Sequence, residues 1–213
     1  MEGRIAFSAV YTTNFPGDEL WERAPSYRFV NSTDQGGMPL EGGNVRFAWN
    51  ERGLYVRADL EDSFQIANDP RDEQLHFESG DVFELFVKPL CDDYYWEMYA
   101  TPIGKKSTLF FPRKREGMDL ENFLRDHSFN GLEVSADQSE SSWRAGMFVP
   151  VEQLTALGAT WGESAEWTIF CGRYNYNHIE LVDPELSMAP ALSQTNYHLT
   201  DEYAVLVMSY DQT

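Results

Sequence analysis

Between Asn44 and Gly104 apolar and polar residues alternate with a period of two, and Gly, Asn, Asp or Pro punctuates the alternation. That period sends successive side chains to opposite faces of an extended chain, which suits strands and not helices. In Val45–Trp49 the side chains of Val45, Phe47 and Trp49 point one way, and those of Arg46 and Ala48 the other. Asn50-Glu51-Arg52-Gly53 reads as a tight hairpin loop in which Gly53 takes positive φ. Leu54, Val56, Ala58 and Leu60 then share a face. Similar runs predict strands over 4–11, 26–31, 44–49, 53–60, 81–88, 94–100, 107–111, 131–137, 142–149, 166–175 and 202–210. Pro150 to Leu157, with Pro first and Gly158 as a stop, predicts a short helix, and Asp119–Asp126 a further helical turn. The economical architecture is all-β: one domain over 1–213, an antiparallel β-sandwich, jelly-roll-like or immunoglobulin-like, with one or two short helices.

Composition narrows the partners. Hydrophobic content of 42% and aromatic content of 15% supply a sizeable core and argue against disorder. No apolar run approaches the roughly 18 residues of a membrane span. Met1 leads into IAFSAVY, which reads as a strand and not as a basic, then apolar, then small-residue leader. The net charge of −19 repels phosphate backbones, so nucleic acid is a poor partner, as are anionic membranes and acidic polysaccharides. Neutral sugars and metal cations remain. Cys91 and Cys171 make no disulfide framework, and Cys171, in the apolar run WTIFC, reads as a buried thiol.

Several residues have the chemistry of a sugar site. Asp81 and Glu84, three apart on a strand, face opposite sides, so one can line a concave surface while the other anchors the strand. Carboxylates accept paired hydrogen bonds from hydroxyls. Tyr95, Glu97 and Tyr99 share a face, two phenols and a carboxylate that form a candidate platform for a pyranose. Arg173 offers a rigid fork of donors, for vicinal hydroxyls or for a pair with Glu84 or Glu97. Gln194, Asn196 and Tyr197 gather amides and a ring, beside His198, in the loop before the last strand. Asp59, Glu61 and Asp62 form an acidic cluster at a strand end that could hold Ca²⁺.

The run LYVRADLEDS, then GDVFELFV, YYWEMYATPIG, SSWRAGMFVPVEQL, FCGRYNYN and the closing NYHLTDEYAVLVMS resembles the family 9 carbohydrate-binding modules in order and coverage. The N-terminal DELWERAP is similar to the family's opening segment. The resemblance implies a non-catalytic β-sandwich of the DOMON-like group. It also implies an extracytoplasmic setting beside enzymes of xylan or cellulose degradation, neutral mono- or oligosaccharides bound between two rings, and structural calcium in some members. It implies that Glu84 contacts the sugar, that Tyr197 stacks on one side, and that Glu97 and Tyr99 lie on the strand of polar contacts. The second ring, usually Trp, falls just before the Gly80-Asp81 turn, where Phe77 stands one position out of register. Two other readings are carried: a carbohydrate-active hydrolase using the paired carboxylates Glu84 and Glu97, and a haem-binding electron-transfer domain using Met98 or Met147 with His198.

Overall fold

The structure, a computed structural model, describes residues 4–34, 36–113, 129 and 131–210. The predicted turn at Asp119–Asp126 lies outside these residues. In chain order the elements are β1 (Ala6–Tyr11), α1 (Asp18–Arg23), β2 (Tyr27–Arg28), β3 (Val30–Asn31), β4 (Gly43–Asn50), β5 (Gly53–Glu61), β6 (Val82–Pro89), β7 (Tyr95–Ala100) and β8 (Lys106–Phe111). Next come β9 (Glu133–Gln138), β10 (Ser142–Pro150), α2 (Val151–Leu154), β11 (Trp167–Asn175), β12 (Glu185–Ala189) and β13 (Ala204–Ser209). Short 3₁₀ turns at His76–Glu78 and Thr200–Glu202 complete the set. Among the described residues no helix is long and apolar enough to cross a membrane.

The expected pair of antiparallel sheets is corrected in one respect. The strands form a continuous mixed sheet, β8-β7-β6-β11-β13-β1-β4-β5-β10-β9, nearly closed into a barrel. The reason lies in β1, which runs parallel to both of its neighbours, β13 and β4, and so joins the two halves. The predicted strand 26–31 is split for a related reason. Phe29, fully buried, turns into the core edge-on to Phe83. Before it β2 pairs with β4, and after it β3 pairs with β12, which itself pairs with β11. This short stretch thus laces the halves together on the other side. Strand β12 escapes the sequence reading because ELSMA is only five residues long and follows Pro184.

Alternation sets the core. Odd residues of β4 (Val45, Phe47, Trp49), even residues of β5 (Leu54 to Leu60) and odd residues of β10 (Trp143 to Val149) face inward. From the other half Phe83, Leu85 and Val87, Trp96 and Met98, and Trp167, Ile169 and Cys171 meet them in one cluster. Gly53 closes the predicted hairpin at φ +150°, where a Cβ would lie 2.1 Å from the Val149 carbonyl oxygen. Cys91 is exposed and Cys171 buried, and neither is in a disulfide.

At one end of the barrel sits a buried charged cluster. Arg173 lies 3.3 Å from Asp62 and donates to the carbonyls of Glu41, Gly42 and Glu61 and to the Asn175 amide oxygen. Asp62 also accepts from Trp143 Nε1 at 3.0 Å. Asp81 accepts from the backbone N–H groups of Ile66 (2.5 Å) and Tyr176 (2.6 Å), and so of the pair Asp81 and Glu84 it is Asp81 that anchors the start of β6. Burial, and then the Asp62 charge, push the Asp81 carboxyl up to about 7. Its folded value thus exceeds its unfolded one, so the folded state keeps a proton that the unfolded state has lost. The resulting stabilisation is complete below pH about 4 and disappears as pH rises through about 7. Melting temperatures measured from pH 5 to pH 8, on the order of the range Asp81 spans, should therefore fall more steeply in the wild type than in Asp81→Asn. Equal slopes would contradict this assignment.

Candidate functional site

The outer face of β7, β6 and β11 carries a second, smaller core. Val82 and Phe86, Tyr95 and Tyr99, and Phe170 cluster there with Met188, Leu192, Tyr197 and Tyr203. Tyr95, Glu97 and Tyr99 of β7, predicted to share a face, alternate with the main-core residues Trp96 and Met98, and Glu84 of β6 alternates likewise with Phe83 and Leu85. The loop 190–203 lies over this face, and a cavity of about 180 Å³ opens within it. Its walls are Phe77, Tyr174 and Tyr197, the carboxylates of Glu84 and Glu97, and Asn196 and His198.

The aromatic wall has defined geometry. Phe77 lies 5.4 Å from Tyr174 at an interplanar angle of 35°, and Tyr174 meets Tyr197 edge-on at 6.1 Å. The Tyr197 hydroxyl donates to the Ser187 carbonyl at 2.8 Å and the Arg173 carbonyl at 3.2 Å, so the ring is tied down at its hydroxyl end. It rests on Gly172, where a Cβ would stand 2.6 Å from the ring and 3.3 Å from a Glu84 carboxylate oxygen. A glycine inside the apolar strand WTIFCGRY is thus what lets ring and carboxylate approach the sheet.

The polar wall is braced from below. The Tyr99 hydroxyl donates to Glu97 at 2.5 Å. Burial, then the charges of Glu97 and Glu84, raise the Tyr99 phenol well above its ordinary value, so it stays a donor. Tyr95 Oη pairs with His198 Nδ1 at 2.8 Å, and His198 Nε2 lies 3.9 Å from Glu97. Asn196 accepts the His198 N–H at 3.1 Å and is exposed at the cavity mouth. The cavity therefore presents carboxylate acceptors, an amide and an imidazole between aromatic rings, a combination that can bind hydroxyls and apolar ring faces together.

Of the predicted residues, Glu84, Glu97, Tyr197, Phe77 and Asn196 come together at this cavity. Tyr95 and Tyr99 lie beneath it, fully buried, and orient His198 and Glu97 instead of offering a stacking platform. Gln194 is exposed and outside the lining. Arg173 is a correction: one residue from Gly172 it faces the opposite side of β11, fully buried, and it pairs with Asp62 and not with Glu84 or Glu97. The acidic cluster is another. Asp59 is taken by Arg46, Arg57 and Arg144, Glu61 accepts the Gly42 N–H, and Asp62 is in the Arg173 cluster. Among the described residues no group of three or more His, Cys, Asp or Glu is placed to hold a metal. The haem reading fails on placement, since Met98 and Met147 lie in the main core while His198 lies on the far side of the sheet. Tyr174 and Gly172 were not singled out from sequence, although their parity with Phe170 marks this face.

No family model matches the chain, and no curated protein matches its sequence. Solved structures do match in fold. A protein of Bacteroides uniformis ATCC 8492, provisionally assigned as carbohydrate-binding, superposes with a TM-score of 0.72 at 15% identity, over 97% of this chain and 100% of that one. A family 9 carbohydrate-binding module of Caldicellulosiruptor kristjanssonii superposes with a TM-score of 0.66 at 9% identity in its complexes with glucose and with cellotriose. These cover 97% of this chain and 96% and 94% of theirs. The chain thus has a carbohydrate-binding-module fold. More narrowly, the fold is like that of family 9.

Proposed function

We propose that the domain binds a neutral mono- or oligosaccharide in the cavity between Phe77 and Tyr197. The observation that carries this reading is the lining itself: two carboxylates, an amide and an imidazole set between three rings in a space of about 180 Å³. The ring faces would take pyranose C–H groups, and Glu84, Glu97 and Asn196 would hold the hydroxyls. The fold's likeness to modules complexed with glucose and cellotriose supports the same reading. Plant-type polysaccharides such as xylan or cellulose are the proposed source. Affinity should be modest, because few contacts offset the entropy of association.

Calorimetry against glucose and cello-, xylo-, manno- and galacto-oligosaccharides tests the proposal. Glu84→Gln keeps the side-chain shape and removes one charged acceptor. It should weaken binding by about tenfold or more, the loss of one charge-assisted hydrogen bond. Turnover of any of these sugars by the wild type, abolished in Glu84→Gln, would replace the binding role with the hydrolase one.

A further inference from the structure

The outer face of the other sheet half is built differently from an ordinary solvated surface. Across β4, β5, β10 and β9 the register sets Arg46 opposite Arg57, Arg57 opposite Gly146, and Gly146 opposite Ser135. Like charges directly across a sheet are destabilising. They are tolerated because Asp59, in the adjacent row, accepts from Arg46, Arg57 at 3.3 Å and Arg144 at 2.8 Å. The three guanidinium groups are thereby fixed around one carboxylate. Arg46 Nε is buried without a hydrogen-bond partner among the described residues, a donor left unmet.

A trough opens in the middle of this face beside Gly146 and Ser135, and the Ser135 hydroxyl fills the space that a Cβ on Gly146 would need, 2.5 Å from it. On one side of the trough are the arginines. On the other Tyr55 and Phe148 pack with Trp21 of α1, and Phe15, 74% exposed, stands edge-on to Tyr55 at 5.5 Å. Three adjoining pockets of about 350 Å³ each open along the face, and Arg144 lines all three. Each is larger than the cavity at Tyr197 and within the range of ligand sites.

We propose that this groove is a second saccharide-binding site, which takes an internal segment of a neutral oligosaccharide. The guanidinium forks and Asp59 would bind hydroxyl pairs, and Phe15 would cover a sugar face above the Gly146 trough. The charge balance selects a neutral ligand. Asp18, Glu22, Asp59 and Asp137 offset the three arginines along the groove, and the net charge of −19 opposes acidic glycans. The groove is open along the face and the Tyr197 cavity is small, so the groove would take the longer stretch of chain.

Spectra of ¹⁵N-labelled protein titrated with glucose, cellohexaose and xylohexaose test this. Glucose should move amides around Gly172 and Asn196–His198 only. At least one hexaose should also move amides of Ser135, Arg144 and Gly146. In Glu84→Gln the groove shifts should persist, and in Phe15→Ala and Arg144→Ala they should weaken by about tenfold while the shifts at Gly172 remain. Hexaose shifts confined to the Tyr197 cavity would overturn the groove proposal alone. Groove shifts without cavity shifts would overturn the proposed function alone, and no shifts with any sugar would overturn both. Groove shifts that track protein concentration, with the sugar omitted, would replace the saccharide with a second copy of the chain.

Discussion

Replacing Arg173 with alanine should lower the stability of the domain by about 3–5 kcal/mol, the loss expected when one partner of a buried ion pair is removed. The melting temperature should fall by roughly 6–20 °C in a domain of this size. The expectation follows from what the guanidinium satisfies. It stands 3.3 Å from Asp62 and closes three backbone carbonyls and the Asn175 amide at distances of 2.6 to 3.1 Å. Without it Asp62 and Asp81 remain together in the barrel end with no cation between them, and burial already disfavours the charge of each. The double variant Arg173→Leu/Asp62→Leu should recover part of the loss, since it removes the stranded carboxylate as well. Calorimetric melts of the three proteins decide. A single variant within about 1 kcal/mol of wild type would mean that the cluster is not what holds this end closed.

The second large effect is expected at Gly172. Alanine there would set a methyl 2.6 Å from the Tyr197 ring and 3.3 Å from the Glu84 carboxylate. The ring cannot simply retreat, because its hydroxyl is tied to two carbonyls and its body packs on Phe170 at 5.1 Å. Overpacking of this kind costs about 1–3 kcal/mol. Its larger consequence falls on the cavity, whose wall and main acceptor move together. Sugar affinity in Gly172→Ala should drop by more than about tenfold, a greater proportional loss than the change in stability. Titration and melting of the same preparation separate the two. Unchanged affinity would place the ligand elsewhere.

These two neighbours show what was legible in the sequence and what was not. Alternation alone assigned Tyr95, Glu97 and Tyr99 to one face, and the structure keeps Tyr95 and Tyr99 together there while Tyr94, Trp96 and Met98 turn to the main core. It could not tell that the polar side would be roofed by a loop, which turns two candidate stacking rings into buried supports. The same parity, applied to 170–174, puts Gly172 and Tyr174 at the cavity and Arg173 behind it. The charge and donor fork of Arg173 drew attention to the wrong residue of the triplet. Its true partner, Asp62, is distant in sequence and is brought near only by closure of the barrel. That closure was hidden too, because it depends on pairings between segments far apart in the sequence, β1 with β13 and β3 with β12. A period of two carries no information about them.

The central claim is that the cavity at Tyr197 is where a neutral sugar sits. A crystal structure of the domain soaked in glucose tests it most directly. The account predicts a pyranose between Phe77 and Tyr197, with hydroxyl oxygens within about 3.2 Å of Glu84, Glu97 and Asn196. A filled sugar site anywhere else, with this cavity empty, would contradict it.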